Sequence, residues 1–494
     1  MDIPEFYRNR EIFVTGATGF VGKVLLEKLL RSCNVGRIYL LIRSKKGIEA
    51  EERKNEIFQA EIFDEVKRDI PDILDRVCCI EGNILHDNLG MSPSDIDLVT
   101  KDVSVVFHVA ASVKFEEPFR KSFSNNVQST KNVADVCRFM KNLVSFVHVS
   151  TAYCNCERDE LDERIYPLSR SYQAYQNVLD LENDDFMEKI APKLLEGRPN
   201  TYTLTKAIAE NLLNTSYKDL PIVIVRPSIV SSSWKEPLPG WNDSLNGANG
   251  LIAAAMKGIL RTMLVHGEKI ADLIPVDIVV NLMITAGWEK GLVPHDRSQD
   301  IEVYNCISGT INPMTWFKFV DCMEKHVWNY PSQRVFIYPA GGFKRNYFWN
   351  RLCVLLEHQL PATLVDLLLI VIGKKPRLIS IYKKLHKAIG VLEYFSTREW
   401  KFHSNNIKKL MKKMSIEDLE EFNFDISGMD WDEYLKNYVM GTRRYLFKED
   451  DSTIPESRNR LKKRYFIALT IQTGIVLGVA HYLSSKLLFG ELFS

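Results

Sequence analysis

The sequence predicts an α/β protein: a Rossmann-type doubly wound parallel sheet, then a mainly α-helical C-terminal domain and a C-terminal membrane helix. Three observations carry this. Short apolar runs alternate with helical stretches from Ile12 to Ile307. A turn spaced Gly16-x-x-Gly19-x-x-Gly22 joins the first apolar run to the first amphipathic stretch. Near the end, Phe466–Leu483 is an apolar segment close to the roughly 20 residues that a spanning helix needs.

Ile12-Phe13-Val14 reads as the first strand, and Val24–Leu30 has helical apolar spacing. Between them, Gly16 permits the tight turn, Gly19 lets a pyrophosphate approach the backbone, and Gly22 permits close helix–strand packing. The helix start offers unpaired N–H groups and a positive dipole end to phosphates. Thr15, Gly16, Thr18, Gly19, Phe20, Val21 and Gly22 are the expected dinucleotide contacts of this turn. Arg37–Arg43 is the second strand. Where an acid would accept from a free ribose 2′-hydroxyl, the chain has Arg43, Ser44, Lys45 and Lys46. A 2′-phosphate suits that cluster, so NADPH is expected rather than NADH.

Val77–Ile80 is a third strand, with Asn83 just beyond it, and Ser92-Pro-Ser-Asp95 has a helix-start signature. Val103–Ala111 is a fourth strand, ending in small residues such as Ala110 where a nicotinamide can lie close to backbone. His108 there reads equally as a site residue or a satisfied core histidine. Val144–Ser150 is the fifth strand and Ile222–Pro227 the sixth. Between them an irregular acidic insertion, Asp159–Glu196, precedes a helix that starts at Pro199-Asn200-Thr201. Ser232–Asn249, rich in Trp, Pro, Asn and Gly, reads as a substrate lid. Asp272–Asp277 precedes another helix, and Val303–Ile307 is a late strand.

Lys+Arg 64 against Asp+Glu 63 leaves a net charge of +1, which excludes a global basic footprint for nucleic acid. The nine cysteines are odd in number and scattered, with no Cys-x-x-Cys, pointing to a reducing compartment without disulfides or a zinc site. Cys154-Asn-Cys156 reads as two buried thiols, and no metal is expected. Met1–Arg8 has no apolar h-region, so no signal peptide is expected.

Ser150 and Thr151 follow the fifth strand, beyond whose carboxyl end ligands bind in open parallel sheets. Tyr202 and Lys206, four apart on one helix, share a face. Such a phenol can protonate a carbonyl oxygen as hydride reaches its carbon. The lysine charge lowers the phenol's pKa, and a Ser or Thr hydroxyl holds the developing oxyanion.

Thr15-Gly-x-x-Gly-x-x-Gly22, Val149-Ser-Thr-Ala-Tyr153, Tyr202-x-x-x-Lys206 and Val225-Arg-Pro-Ser228 resemble the extended short-chain dehydrogenase/reductases. Thr15–Leu30, His108-Val-Ala-Ala111, Arg226–Ser233 with Trp234–Trp241, and Leu392-Glu-Tyr-Phe395 resemble, within that group, the alcohol-forming fatty acyl-CoA reductases. The resemblance covers nearly the whole chain. It implies NADPH-dependent reduction of a long-chain acyl-CoA to a primary alcohol, by two hydride transfers through an aldehyde, with release of CoA. The products would feed ether lipids, waxes or other alcohol-derived lipids. By position it makes Tyr202 the proton donor, Lys206 its activator, and Thr151, with Ser150 beside it, the oxyanion hydroxyl. It also adds Pro227 to the cofactor contacts. Asn83 departs from the Asp that many extended relatives carry near the adenine, and its amide can still hydrogen-bond the base.

Domains are expected at 1–345 (dinucleotide binding and lid), 355–449 (helical), 450–464 (polar and basic linker) and 465–484 (membrane anchor). Pro361–Ile372, with Asp366 inside it, reads as too short to span and therefore as a core helix or an interfacial element. Lys374-Lys375-Pro-Arg377 after it suits phospholipid or CoA phosphates. Ser415-Ile-Glu-Asp418 reads as a helix cap, and the aromatics of Trp431–Tyr445 read as core packing. Arg458, Arg460, Lys462, Lys463 and Arg464 before the anchor put the catalytic body in the cytosol. Glu491-Leu-Phe-Ser494 holds no Ser-Lys-Leu address, leaving the endoplasmic reticulum and peroxisomal membranes open. The partners expected are a long-chain acyl-CoA, a bilayer and, in a homodimer, a second copy. Two other readings compete: a membrane-bound dehydrogenase of a steroid or other lipid carbonyl, and a non-catalytic NADPH-binding scaffold.

Overall fold

Seven apolar runs become the strands of one parallel sheet: β1 (Glu11–Thr15), β2 (Ile38–Ile42), β3 (Val77–Glu81), β4 (Val103–His108), β5 (Ser145–Val149), β6 (Ile222–Pro227) and β7 (Glu302–Cys306). Their order is β7-β6-β5-β4-β1-β2-β3. Strands β2, β4, β5 and β6 are buried at every position, as continuous apolar runs in a sheet covered on both faces must be. The order reverses between β1 and β4, which opens a crevice beyond their carboxyl ends. The computed structural model describes residues 1–491 except Glu182, Arg297 and Ala340, so Leu492–Ser494, read above for targeting, lie outside the described residues.

Helices α1 (Phe20–Ser32) and α3 (Val276–Leu292) cover one face of the sheet, and α2 (Thr201–Ser216) covers the other. The expected helix starts hold. Asn200 accepts from the Thr203 amide at 3.0 Å, Ser92 from Asp95 at 3.2 Å, and Ser415 from Asp418 at 3.0 Å. Trp431, Tyr434 and Tyr438 are buried, packing against Met256, Leu273 and Phe319.

Several expectations change. The insertion at 159–196 is not irregular: it carries helices Tyr172–Leu181 and Asp184–Leu194, whose apolar sides close on the second face of the sheet. The lid is half fixed. The Asp277 carboxylate, at the start of α3, accepts from the amides of Trp234, Lys235 and Glu236 at 2.9, 2.8 and 3.2 Å, and Trp241 is buried against Phe20. The helical C-terminal third packs on the sheet domain. Ile407, Leu410, Phe422 and Phe424 join the cluster that holds α1, and Lys28 of α1 pairs with Glu236 at 2.9 Å and Glu421 at 3.0 Å.

Pro361 does not end its helix. Helix α4 (Tyr347–Val371) runs 25 residues, with a π-helical segment, Val354–Gln359, just before the proline. A π turn loosens the ladder where proline can donate no hydrogen bond. The core-helix reading of 361–372 is therefore corrected: only 17% of the apolar stretch is buried. Helix α5 (Leu378–Ser396) returns antiparallel beside it. The 450–464 linker is helical from Ile454 on, as the start of α6 (Ile454–Glu491). Its Arg458, Arg460 and Arg464 donate to carbonyls of Asn329, Gln333 and Val335. Among the expected anchor residues Phe466, Ile467, Leu477 and Val479 are exposed, and the side chain of Gln472 lies outside the described residues.

Candidate active site

A cavity of about 1340 Å³ lies beyond the carboxyl ends of the strands, at the reversal of strand order. One side of it is the glycine turn. Gly16 has φ +83°, and a Cβ there would stand 2.6 Å from the Ala110 amide nitrogen. At Gly22 it would stand 2.3 Å from the Gly16 carbonyl oxygen. Turn, β4 end and α1 thus touch backbone to backbone. Gly19 caps α1 with no side-chain hydrogen bond, so the first amides of the helix face the cavity uncapped. Gly16, Thr18, Gly19, Phe20, Val21, Gly22, Arg43, Asn83 and Ala110 all line it. A dinucleotide fits this wall: the glycines let the turn pack directly on the β4 end and on α1, and the uncapped helix start is open to receive its phosphates.

Thr15 and Pro227 are not in the lining. The Thr15 hydroxyl is 2.7 Å from His108 Nδ1, and His108 Nε2 is 3.1 Å from Thr130. Burial, with the Lys206 charge adding to it, holds that imidazole down at about 3, neutral. His108 is therefore a satisfied core residue, tying β1 to β4. The Asn83 Oδ1 accepts from the Leu85 amide at 3.2 Å, which orients the amide at the end of β3.

Thr151 and Tyr202 face the cavity together. Burial pushes the Tyr202 phenol well above its ordinary range, and hydrogen bonding with Thr151 pulls it partly back. Lys206 stands one turn behind. Its Nζ donates to the Val149 carbonyl at 2.7 Å, and burial lowers it to about 8, with Glu210 opposing. The lysine therefore holds the end of β5 from one turn behind the phenol. Ser150 is buried beside Thr151, outside the lining, and its hydroxyl has no hydrogen-bond partner among the described residues. Cys154 and Cys156 are free and buried, with thiols pushed up by burial, that of Cys156 to about 12. No group of three or more potential metal ligands occurs among the described residues.

Two parts of the cavity are invisible in sequence. Arg53, in the charged helical stretch that follows β2, lines the cavity with Arg43 and Lys45, its guanidinium donating to the Arg43 carbonyl. The opposite wall is apolar: Ile252, Met263, Phe319, Met323 and Val327, with Leu392 and Phe395 from α5. Phe115 joins the two sides, its ring 5.4 Å from Tyr202 and 5.7 Å from Phe395. Ser244 and Asn246–Asn249, the remaining half of the expected lid, border the same space.

A male sterility protein family profile matches residues 14–283, and a second of the same description matches 357–449. The chain is 40% identical to fatty acyl-CoA reductase 1 of Xenopus laevis over 482 residues, covering 97% of this chain and 92% of that one. It is 38% identical to the Homo sapiens protein of the same name over the same shares. Fatty acyl-CoA reductase 2 of Mus musculus is 36% identical over 476 residues, 96% of this chain and 92% of the relative. Among solved structures, the reductase domain of a nonribosomal peptide synthetase from Mycobacterium tuberculosis superposes with TM-score 0.58 at 17% identity, over 88% of this chain and 92% of that one. The terminal R domain of the myxalamid pathway gives 0.57 at 17% identity, over 90% and 93%. These two likenesses concern the fold.

Proposed function

We propose, since the chain belongs to the fatty acyl-CoA reductase family, that it reduces long-chain fatty acyl-CoA to the primary alcohol with NADPH, releasing CoA. One observation carries this reading: the glycine turn, the Tyr202–Thr151 pair and a long apolar wall share a single cavity. Arg43, Lys45 and Arg53 at its polar end support NADPH over NADH, because three cations around one ribose favour a 2′-phosphate. A dinucleotide bound at the turn supplies hydride to a carbonyl carbon, two equivalents being needed from thioester to alcohol.

The residues Tyr202 and Thr151 hold the carbonyl oxygen and stabilise it as it becomes an oxyanion. Because burial keeps the phenol protonated, Tyr202 carries the proton that the oxygen takes up. Lys206, charged below about 8, favours the phenolate that remains. When the tetrahedral thiohemiacetal collapses, its hydroxyl returns the proton to the Tyr202 phenolate as the C–S bond breaks and CoA thiolate leaves, and the same pair, the phenol restored, receives the aldehyde oxygen for the second reduction. The apolar wall takes the acyl chain and excludes water from the carbonyl. The body is cytosolic, anchored by residues 465–484 of α6, whose basic N-terminal flank favours that orientation.

The test is product analysis with detergent-solubilised protein, NADPH and a series of acyl-CoA chains, beside Tyr202→Phe. The expected result is primary alcohol at two NADPH per CoA released, with kcat lowered about 10²–10⁴-fold in the variant. Aldehyde as sole product overturns the four-electron claim. No CoA release with any chain overturns the substrate.

A further inference from the structure

Helices α4 and α5 form a hairpin on which apolar side chains point outward. Leu364, Leu367, Leu368, Ile370 and Ile372 are exposed, and Val371 at its tip is 83% exposed. By length α4 is long enough to cross a membrane. The tie at His358 leaves only residues 359–371 standing clear of the body, about 20 Å of helix and too short for a crossing, before the chain turns at residues 372–377 and returns alongside. The Asp366 carboxylate accepts from the amides of Arg377, Leu378 and Ile379 at 3.0, 3.0 and 2.9 Å, and His358 is 2.9 Å from His386. Both legs are tied to the body at the base. Asn350 accepts from Thr262 at 3.0 Å, His358 accepts from the Arg261 amide at 3.1 Å, and Ile389 packs on Met263 and Val265.

Charge states what covers this face. Between Asp366 and Glu393 the chain carries six cations and no carboxylate; Lys387 pairs with Glu116 of the body at 2.8 Å, and Lys374, Lys375, Arg377, Lys383 and Lys384 supply the basic turn and second leg. Apolar tip, basic turn and basic second leg match a leaflet of acyl chains under anionic headgroups. A soluble partner would have to bury the apolar legs and also neutralise the turn. The base of the hairpin adjoins the cavity wall: Leu392 of α5 lines the same space as Tyr202, together with Arg261, Thr262, Met263 and Phe343, the body residues on which the base is seated.

We infer that the α4–α5 hairpin is a monotopic foot, inserted into one leaflet of an anionic bilayer, that seats the apolar end of the cavity on the membrane so that acyl chains enter from the lipid. The entry half rests on the acyl-CoA reading above, and the insertion half does not.

The experiment uses the full chain in vesicles of phosphatidylcholine and phosphatidylserine, with Val371→Cys carrying an environment-sensitive fluorophore and the unsubstituted chain subtracted. Phe139→Cys, exposed at the opposite, amino end of the sheet, is the aqueous control. Quenching by doxyl lipids severalfold stronger at 371 than at 139, with iodide quenching only 139, is the expected result. Equal iodide quenching at both positions overturns the insertion. For entry, Leu368→Glu/Val371→Glu is compared with the parent. A roughly tenfold loss with long-chain acyl-CoA carried in vesicles, and less than twofold change with a water-soluble short-chain one, is expected. Equal losses with both substrates, or none with either, overturn entry from the lipid. A parent that releases no CoA overturns the acyl-CoA reading and leaves the fluorescence result standing.

Discussion

The two walls of the cavity are made by opposite means. The dinucleotide wall is local: one turn of seven residues, Gly16–Gly22, sets it, with backbone touching backbone and an uncapped helix start. The apolar wall is assembled from segments spread between Ile252 and Phe395, each contributing a few side chains. Their difference teaches where change is tolerated. A backbone-built wall has no slack, because nothing smaller than glycine exists to substitute. A side-chain-built wall can be reshaped one residue at a time, so the second wall is where substrate preference can vary while the first stays constant.

Gly16→Ala is the sharpest break in that contrast. Positive φ costs a Cβ about 1–2 kcal/mol, the clash with the Ala110 amide adds to it, and dinucleotide Kd should rise about 100-fold or more, measured by fluorescence titration. Arg43→Ala should cost about 10–30-fold in NADPH over NADH preference, read as the ratio of kcat/KM values, with NADH turnover nearly unchanged. Equal loss with both cofactors would mean that the cations only shape the β2 loop. Met323→Trp should shift chain-length preference about tenfold toward short acyl-CoA while dinucleotide Kd stays put. If Kd moves as well, the two walls are coupled and the contrast fails.

The smallest effect is a pH dependence. Lys206 is lowered by burial to about 8, so its charge is present below that pH and is lost as pH rises through it. kcat should fall by about half at pH 8 and further above it. Lys206→Arg, which keeps its charge through this range, should move the decline upward if the field on Tyr202 is what matters.

Legibility followed the same division. All seven strands lie within a residue or so of the apolar runs that predicted them, apart from β4, which stops at His108 three residues early. The caps at Asn200, Ser92 and Ser415 were readable for the same reason, since a cap is a contact three residues long. Arg53 was not readable: a guanidinium ten residues past the second strand reaches the cavity only because its helix folds back on that strand. Nor was α4, where Pro361 signals a stop and a π turn upstream removes the conflict.

The sequence by itself determined the sheet, the dinucleotide turn and the placing of Tyr202 and Lys206 on one helix face, because each depends on periodicity, backbone freedom or a four-residue spacing. Only the tertiary structure decided that His108 is core, that Lys206 holds β5 and not the phenol, and that α5 supplies cavity wall. It also decided that the apolar face of α4 turns away from the body. These are contacts between residues far apart in the chain, and no local pattern encodes which partner a buried side chain meets.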